Sequence, residues 1–79
     1  MSDDSPELTP EACRAARALL KWSVRDLGAK AGMTGESISA FENGRPMREG
    51  NRAKLLEIFD AHGIAILNGD SPGARRRPI

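Results

Sequence analysis

SVRDLGAKAGMTGESISAFENGR, residues Ser23–Arg45, sets the architecture expected of this 79-residue chain. It reads as two short helices meeting at a glycine turn. Ser23 is a good N-cap, and Asp26 stands at the third helical position, which makes a near capping box. Leu27 and Ala31 form an apolar i, i+4 pair. Gly32 then ends the helix, because glycine reaches positive φ without strain. Thr34 caps the next helix, Ile38 and Phe41 give it an inner edge, and Asn43-Gly44 stops it. The expected spans are Val24–Ala31 and Gly35–Glu42. Neither helix is long enough to persist alone in water, so each apolar face must pack against the rest of the chain. Spacing by itself supports an αα-hairpin and no more.

The flanks supply what such a hairpin needs. Thr9-Pro10-Glu11 is a helix start, a capping threonine followed by proline where its missing N–H costs nothing. A first helix is expected over Pro10–Leu20, with Ala12, Ala16, Leu19 and Leu20 inward. Arg14, Arg17 and Lys21 lie at i, i+3, i+7, and a solvated basic face is the expectation for Arg14. A fourth helix is expected over Glu49–His62, with Leu55, Ile58, Phe59 and His62 as its inward stripe. Ile64–Leu67 reads as a short strand, residues 68–73 as a turn, and Ala74–Arg77 as a returning strand or a basic tail. Met1–Leu8 is acidic and lacks periodicity, so residues 1–8 are expected to be a disordered leader. The domain proper is then residues 9–67, with residues 68–79 as turn and tail. Its core is expected to hold Leu20, Leu27, Ala31, Ile38, Phe41, Leu55 and Phe59.

Composition narrows the function. The chain is short enough for one small domain, which dimerisation would help stabilise. Its 12 basic and 11 acidic residues nearly cancel, giving +1. The distribution is uneven. Asp3, Asp4, Glu7 and Glu11 all lie in the first eleven residues, leaving twelve basic side chains against seven acidic ones, or +5, on residues 12–79. An acidic leader before a basic body suits a polyanion-binding surface, and equally an ordinary solvated one. The single Cys13 excludes an internal disulfide, and no cysteine–histidine cluster is present to hold zinc. His62, the one histidine, has no nucleophile at a diagnostic spacing, so neither an enzyme nor a metal or cofactor site is expected. The absence of a signal-peptide pattern and of a bilayer-length apolar run makes a cytoplasmic location the expectation.

The central segment resembles the helix-turn-helix of the phage repressor and Cro family, the XRE regulators. The residues that carry the resemblance are Ser23, Leu27, Ala31-Gly32, Thr34, Ser37-Ile38 and Phe41-Glu42-Asn43-Gly44-Arg45, in the pattern LxxxAGxTxxSIxxFENG. Residues Thr9–Ser23 are similar to the first helix of small single-domain bacterial members, and Leu55–Leu67 to their closing helix and strand. The fold so implied is mainly α: a four-helix repressor-like domain with a short C-terminal strand or hairpin.

The resemblance also implies a site. Arg17 would pair with Glu42 as a clamp between the first and third helices, with a secondary reach to a phosphate. The third helix would lie in the major groove, presenting Thr34, Gly35, Glu36, Ser37, Ser39 and Ala40 outward. Base contacts in the family come from the positions of Gly35, Glu36 and Ala40. Glu36 can accept from cytosine N4, whereas Gly35 and Ala40 offer only close approach or a touch on a thymine methyl. Phosphates would be met by Ser23 and the second helix's N-terminus, by Asn43 to Arg45 through N–H and side chain, and by Arg48. Val24 replaces the family's usual phosphate-binding glutamine; Arg25 and Lys30 either compensate or are solvated. Gly28 stands where the family usually has alanine, meeting a need for a small residue at the helix crossing. Arg75-Arg76-Arg77 would reach a phosphate backbone or an acidic partner, or serve as a solubilising end.

The function implied is a sequence-specific, double-stranded-DNA-binding transcriptional repressor. It would act as a homodimer on a two-fold operator, joined through Ile64–Leu67 and the fourth helix. An interaction module on the same fold, such as an antitoxin or an antagonist of another regulator, is the alternative that Val24, Gly35 and Ala40 favour.

Overall fold

A computed structural model describes residues 7–67 and 71–78. Four helices and a hairpin follow in order: α1 (Pro10–Leu20), α2 (Val24–Ala31), α3 (Gly35–Glu42), α4 (Glu49–Ala61), β1 (Ile64–Leu67) and β2 (Gly73–Arg76). This is the mainly helical arrangement with a C-terminal hairpin that the sequence predicts. The strands are antiparallel, pairing Ile64 with Arg76 and Leu67 with Gly73. β2 therefore runs one residue earlier than the expected Ala74–Arg77. Residues 1–6 of the expected leader and Asn68, Gly69 and Asp70 of the expected turn lie outside the described residues.

Local chemistry accounts for the helix ends. The Thr9 hydroxyl accepts from the Ala12 N–H at 3.1 Å, and Pro10 opens α1. Gly32, at φ +69, closes α2 by donating to the Gly28 carbonyl. α1 instead ends at Lys21, a residue with a Cβ held at φ 59, a conformation that costs roughly 1–2 kcal/mol outside glycine.

The core gathers Ala12, Cys13 and Ala16 from α1, Leu27 and Ala31 from α2, Ile38 and Phe41 from α3, Leu55 and Phe59 from α4, and Ile64 from β1. Four expectations need correction. Leu8, assigned to a loose leader, is 3 % exposed and belongs to the core. It precedes the Thr9 cap, and Cys13 is four positions into the helix; these two sites are the ones a hydrophobic staple joins. Leu20, assigned to the core, is the last residue of α1 and lies half-buried at its margin, while Cys13 is fully buried. His62 does not continue the α4 stripe. The helix stops at Ala61, His62 becomes its exposed C-cap, and Ile64 fills the core instead. The His62 ring donates from Nδ1 to the Ile58 carbonyl at 2.8 Å and meets Trp22 edge-on.

The fourth correction concerns the terminal arginines. Arg76 donates to the Leu19 carbonyl in the last turn of α1. Arg77 donates to the Asp60 carbonyl at 2.5 Å and to its carboxylate at 2.7 Å, in the last turn of α4. Two helix ends thus have their spare carbonyls satisfied from the hairpin, and β2 lies against α1 while β1 lies against α4. All three arginines are exposed, and Arg75 alone of them makes no side-chain hydrogen bond or ion pair among the described residues.

Candidate functional site

The site is built on the corner between α2 and α3. Ser23 caps α2 reciprocally with Asp26: the Asp26 N–H donates to the Ser23 hydroxyl and the Ser23 N–H to the Asp26 carboxylate, both at 2.9 Å. The bond from the Ser23 amide, chiefly, holds the Asp26 carboxyl below its ordinary value of 3.8. Ser23 and Asp26 are exposed, as is Arg25. The capping box uses the amides of residues 23 and 26, leaving those of Val24 and Arg25 in the first turn.

α3 crosses close over α2 because position 28 carries no side chain. A Cβ there would lie 2.5 Å from the Met33 carbonyl oxygen and 3.2 Å from the Gly35 nitrogen. The need is thus stricter than the small residue expected, since even alanine would force the backbone apart. Thr34 caps α3, its hydroxyl accepting from the Ser37 N–H at 3.1 Å and donating to the Ser37 hydroxyl at 3.0 Å. Ile38 and Phe41 are buried on the inner face. Of the expected outward set, Thr34, Glu36 and Ser37 are exposed, while Gly35, Ser39 and Ala40 are half-buried. Position 35 faces α2: a Cβ there would sit 3.4 Å from the Cα and nitrogen of Arg25 and from a Val24 methyl.

The far end of α3 departs from expectation. The resemblance implies amides of Asn43 to Arg45 that point at phosphates. Instead Asn43 donates to the Ser39 and Ala40 carbonyls, Gly44 to Phe41 at 3.0 Å and Arg45 to Ala40 at 3.0 Å. These amides close the helix, with Gly44 at φ +99, so only the side chains there are turned to solvent. Asn43, Arg45 and Arg48 are exposed, in and around a loop braced by Arg52 donating to the Met47 carbonyl.

The expected clamp is present and larger than expected. Arg17 grips both Glu42 carboxylate oxygens and also donates from Nη1 to the Trp22 carbonyl at 3.0 Å. With three of its five N–H groups so used, its side chain retains 18 % exposure toward any phosphate. The Cys13 thiol donates to Oε2 of Glu42 at 3.1 Å. Burial and then that bond push the thiol well above its ordinary range, so it stays protonated. Arg14, expected in solvent, donates to the Glu42 carbonyl at 2.6 Å. Cys13, Arg14 and Arg17 stand at spacings of three and four residues on one side of α1, a signal the sequence carried.

A groove of about 350 Å³ separates α4 from β1, lined by Leu56, Glu57, Asp60, Ile64, Ala65, Ile66 and Arg77. Among the described residues no three His, Cys, Asp or Glu side chains converge as a metal site, and no helix is long and apolar enough to cross a membrane. No protein-family model and no curated protein matches the sequence.

Proposed function

We propose that the protein is a sequence-specific, double-stranded-DNA-binding transcriptional repressor of the phage repressor and Cro type, cytoplasmic and without enzymatic activity. The observation that carries this reading is the disposition of α3. Its inner face is buried and its C-terminus is tied to α1 through Glu42, while Thr34, Glu36 and Ser37 at its N-terminal end and Arg45 and Arg48 in the loop that follows it are exposed. In this reading α3 enters the major groove. Arg45, Arg48, Asn43, Arg25 and the first turn of α2 meet phosphates, with Arg17 in a lesser role.

Two copies would join through the free edge of β1 and the groove beside α4, setting half-sites ~34 Å apart on a two-fold operator. In support, Leu67 is an exposed large apolar residue at the end of that strand. A second reading, a protein-interaction module on the same fold, is favoured by the acidic Glu36 on α3 and by the internal use of the Asn43 to Arg45 amides.

Binding to the DNA upstream of its own gene tests the proposal. Retention by the wild type, with loss in Arg45→Ala at unchanged thermal stability, is the expected result. No retention of any duplex at low salt would favour the interaction module.

A further inference from the structure

We propose that Glu36 selects a cytosine in each operator half-site, and that the same charge holds the protein off other DNA. This rests on the reading of α3 as a major-groove helix. On the outer face of α3 the structure leaves Glu36 and the hydroxyls of Ser37 and Ser39, and only Glu36 carries a charge. The Thr34 hydroxyl is engaged with Ser37, and position 35 is turned toward Val24 and Arg25. Ala40, one turn beyond Glu36, carries only a methyl group and is half-buried. Glu36 is exposed, lies in the first turn, and forms no hydrogen bond or ion pair among the described residues. First-turn residues are the ones such a helix brings to base edges.

An ionised carboxylate only accepts hydrogen bonds. Guanine presents two acceptors in the major groove, and thymine one acceptor and a methyl group. Adenine presents a donor flanked by the N7 acceptor, and cytosine a donor alone. One carboxylate oxygen can therefore take the cytosine N4–H without its twin facing a lone pair on that base. Elsewhere the carboxylate meets acceptors and phosphates and is repelled. Glu36 thus discriminates twice, by attraction at the right base and by repulsion at others.

The test is selection from a random duplex library by the full chain, followed by anisotropy titrations of wild type, Glu36→Gln and Glu36→Ala. Expected for the wild type is a fixed cytosine in each half-site, with roughly tenfold weaker binding when thymine replaces it. Glu36→Gln is expected to move the preference to adenine, whose N6 and N7 match an amide. Glu36→Ala loses preference at that position, and both variants bind random duplex more tightly than wild type. Enrichment of the same base at every position by all three proteins would overturn this inference and leave the regulator reading standing. Failure of the wild type to bind any duplex in a salt-dependent way would overturn both.

Discussion

Glu42 is held by Arg17 at both carboxylate oxygens: Nε donates to Oε2 at 2.7 Å and Nη2 to Oε1 at 2.6 Å. The two residues are twenty-five positions apart, in the last turn of α1 and the last of α3. The fork geometry fixes angle as well as distance. Bonding to Glu42 raises the Arg17 guanidinium further above its ordinary range, against the opposing effect of burial. With Cys13 and Arg14 added, one residue at the end of α3 has every side-chain oxygen and its carbonyl engaged from α1.

Glu42→Ala should therefore destabilise the protein by about 3–5 kcal/mol, since it strands a partly buried guanidinium and a buried thiol. Urea unfolding measures this. A loss below about 1 kcal/mol would place the pair with exposed ion pairs, which contribute little.

Phe41→Ala should cost about 3–5 kcal/mol through the cavity it leaves, and Leu8→Ala about 2–5 kcal/mol. The second value separates a buried residue from a loose leader. Thermal melts of both variants check it, and an unchanged midpoint for Leu8→Ala would contradict the 3 % exposure of that side chain.

Gly28→Ala sets two effects against each other. Alanine improves helix propensity by about 1 kcal/mol. Its Cβ, 2.5 Å from the Met33 carbonyl oxygen, must push backbone rather than a flexible side chain. Overpacking of this kind costs about 1–3 kcal/mol, so a net loss of stability is expected, with weaker DNA binding as α3 is displaced. A more stable variant with unchanged binding would show that the crossing is loose.

The capping box gives a pH dependence with a definite sign. The Asp26 carboxyl titrates below its ordinary 3.8 in the folded protein, so its contribution to stability is complete above that pH. It is lost as pH falls through the depressed value. Asp26→Ala should be less stable than wild type at neutral pH, and the difference should vanish in stronger acid. Equal or growing separation of the two melting curves toward low pH would contradict the assignment.

Helix bounds were legible because their signals are local: Ser23, Thr34 and Thr9 before helices, and Gly32 and Asn43-Gly44 after them. α2 and α3 match their predicted spans, and β1 matches as well. What escaped depended on distant partners. Arg14, Arg76 and Arg77 look like solvated charges in sequence, and only packing brings the Glu42, Leu19 and Asp60 carbonyls within their reach. His62 continued a helical period, but the period says nothing about where the chain turns away from the helix axis. Leu8 was obscured by its acidic neighbours, although it held the staple position before a clear cap. At the candidate site, Arg25, Arg45 and Arg48 are exposed, but the amides beside Asn43 have a nearer use in closing α3.

In the proposed regulator, Arg45 and Arg48 present α3 to duplex DNA. The most direct measurement of that role is the binding constant of the full chain for a duplex carrying the selected site, titrated against salt. Log K is expected to fall linearly with log salt concentration. Arg45→Ala and Arg48→Ala should each reduce the slope by about 0.9 without changing which sequence is preferred. A binding constant indifferent to salt, or slopes unmoved by removal of either arginine, would contradict that role.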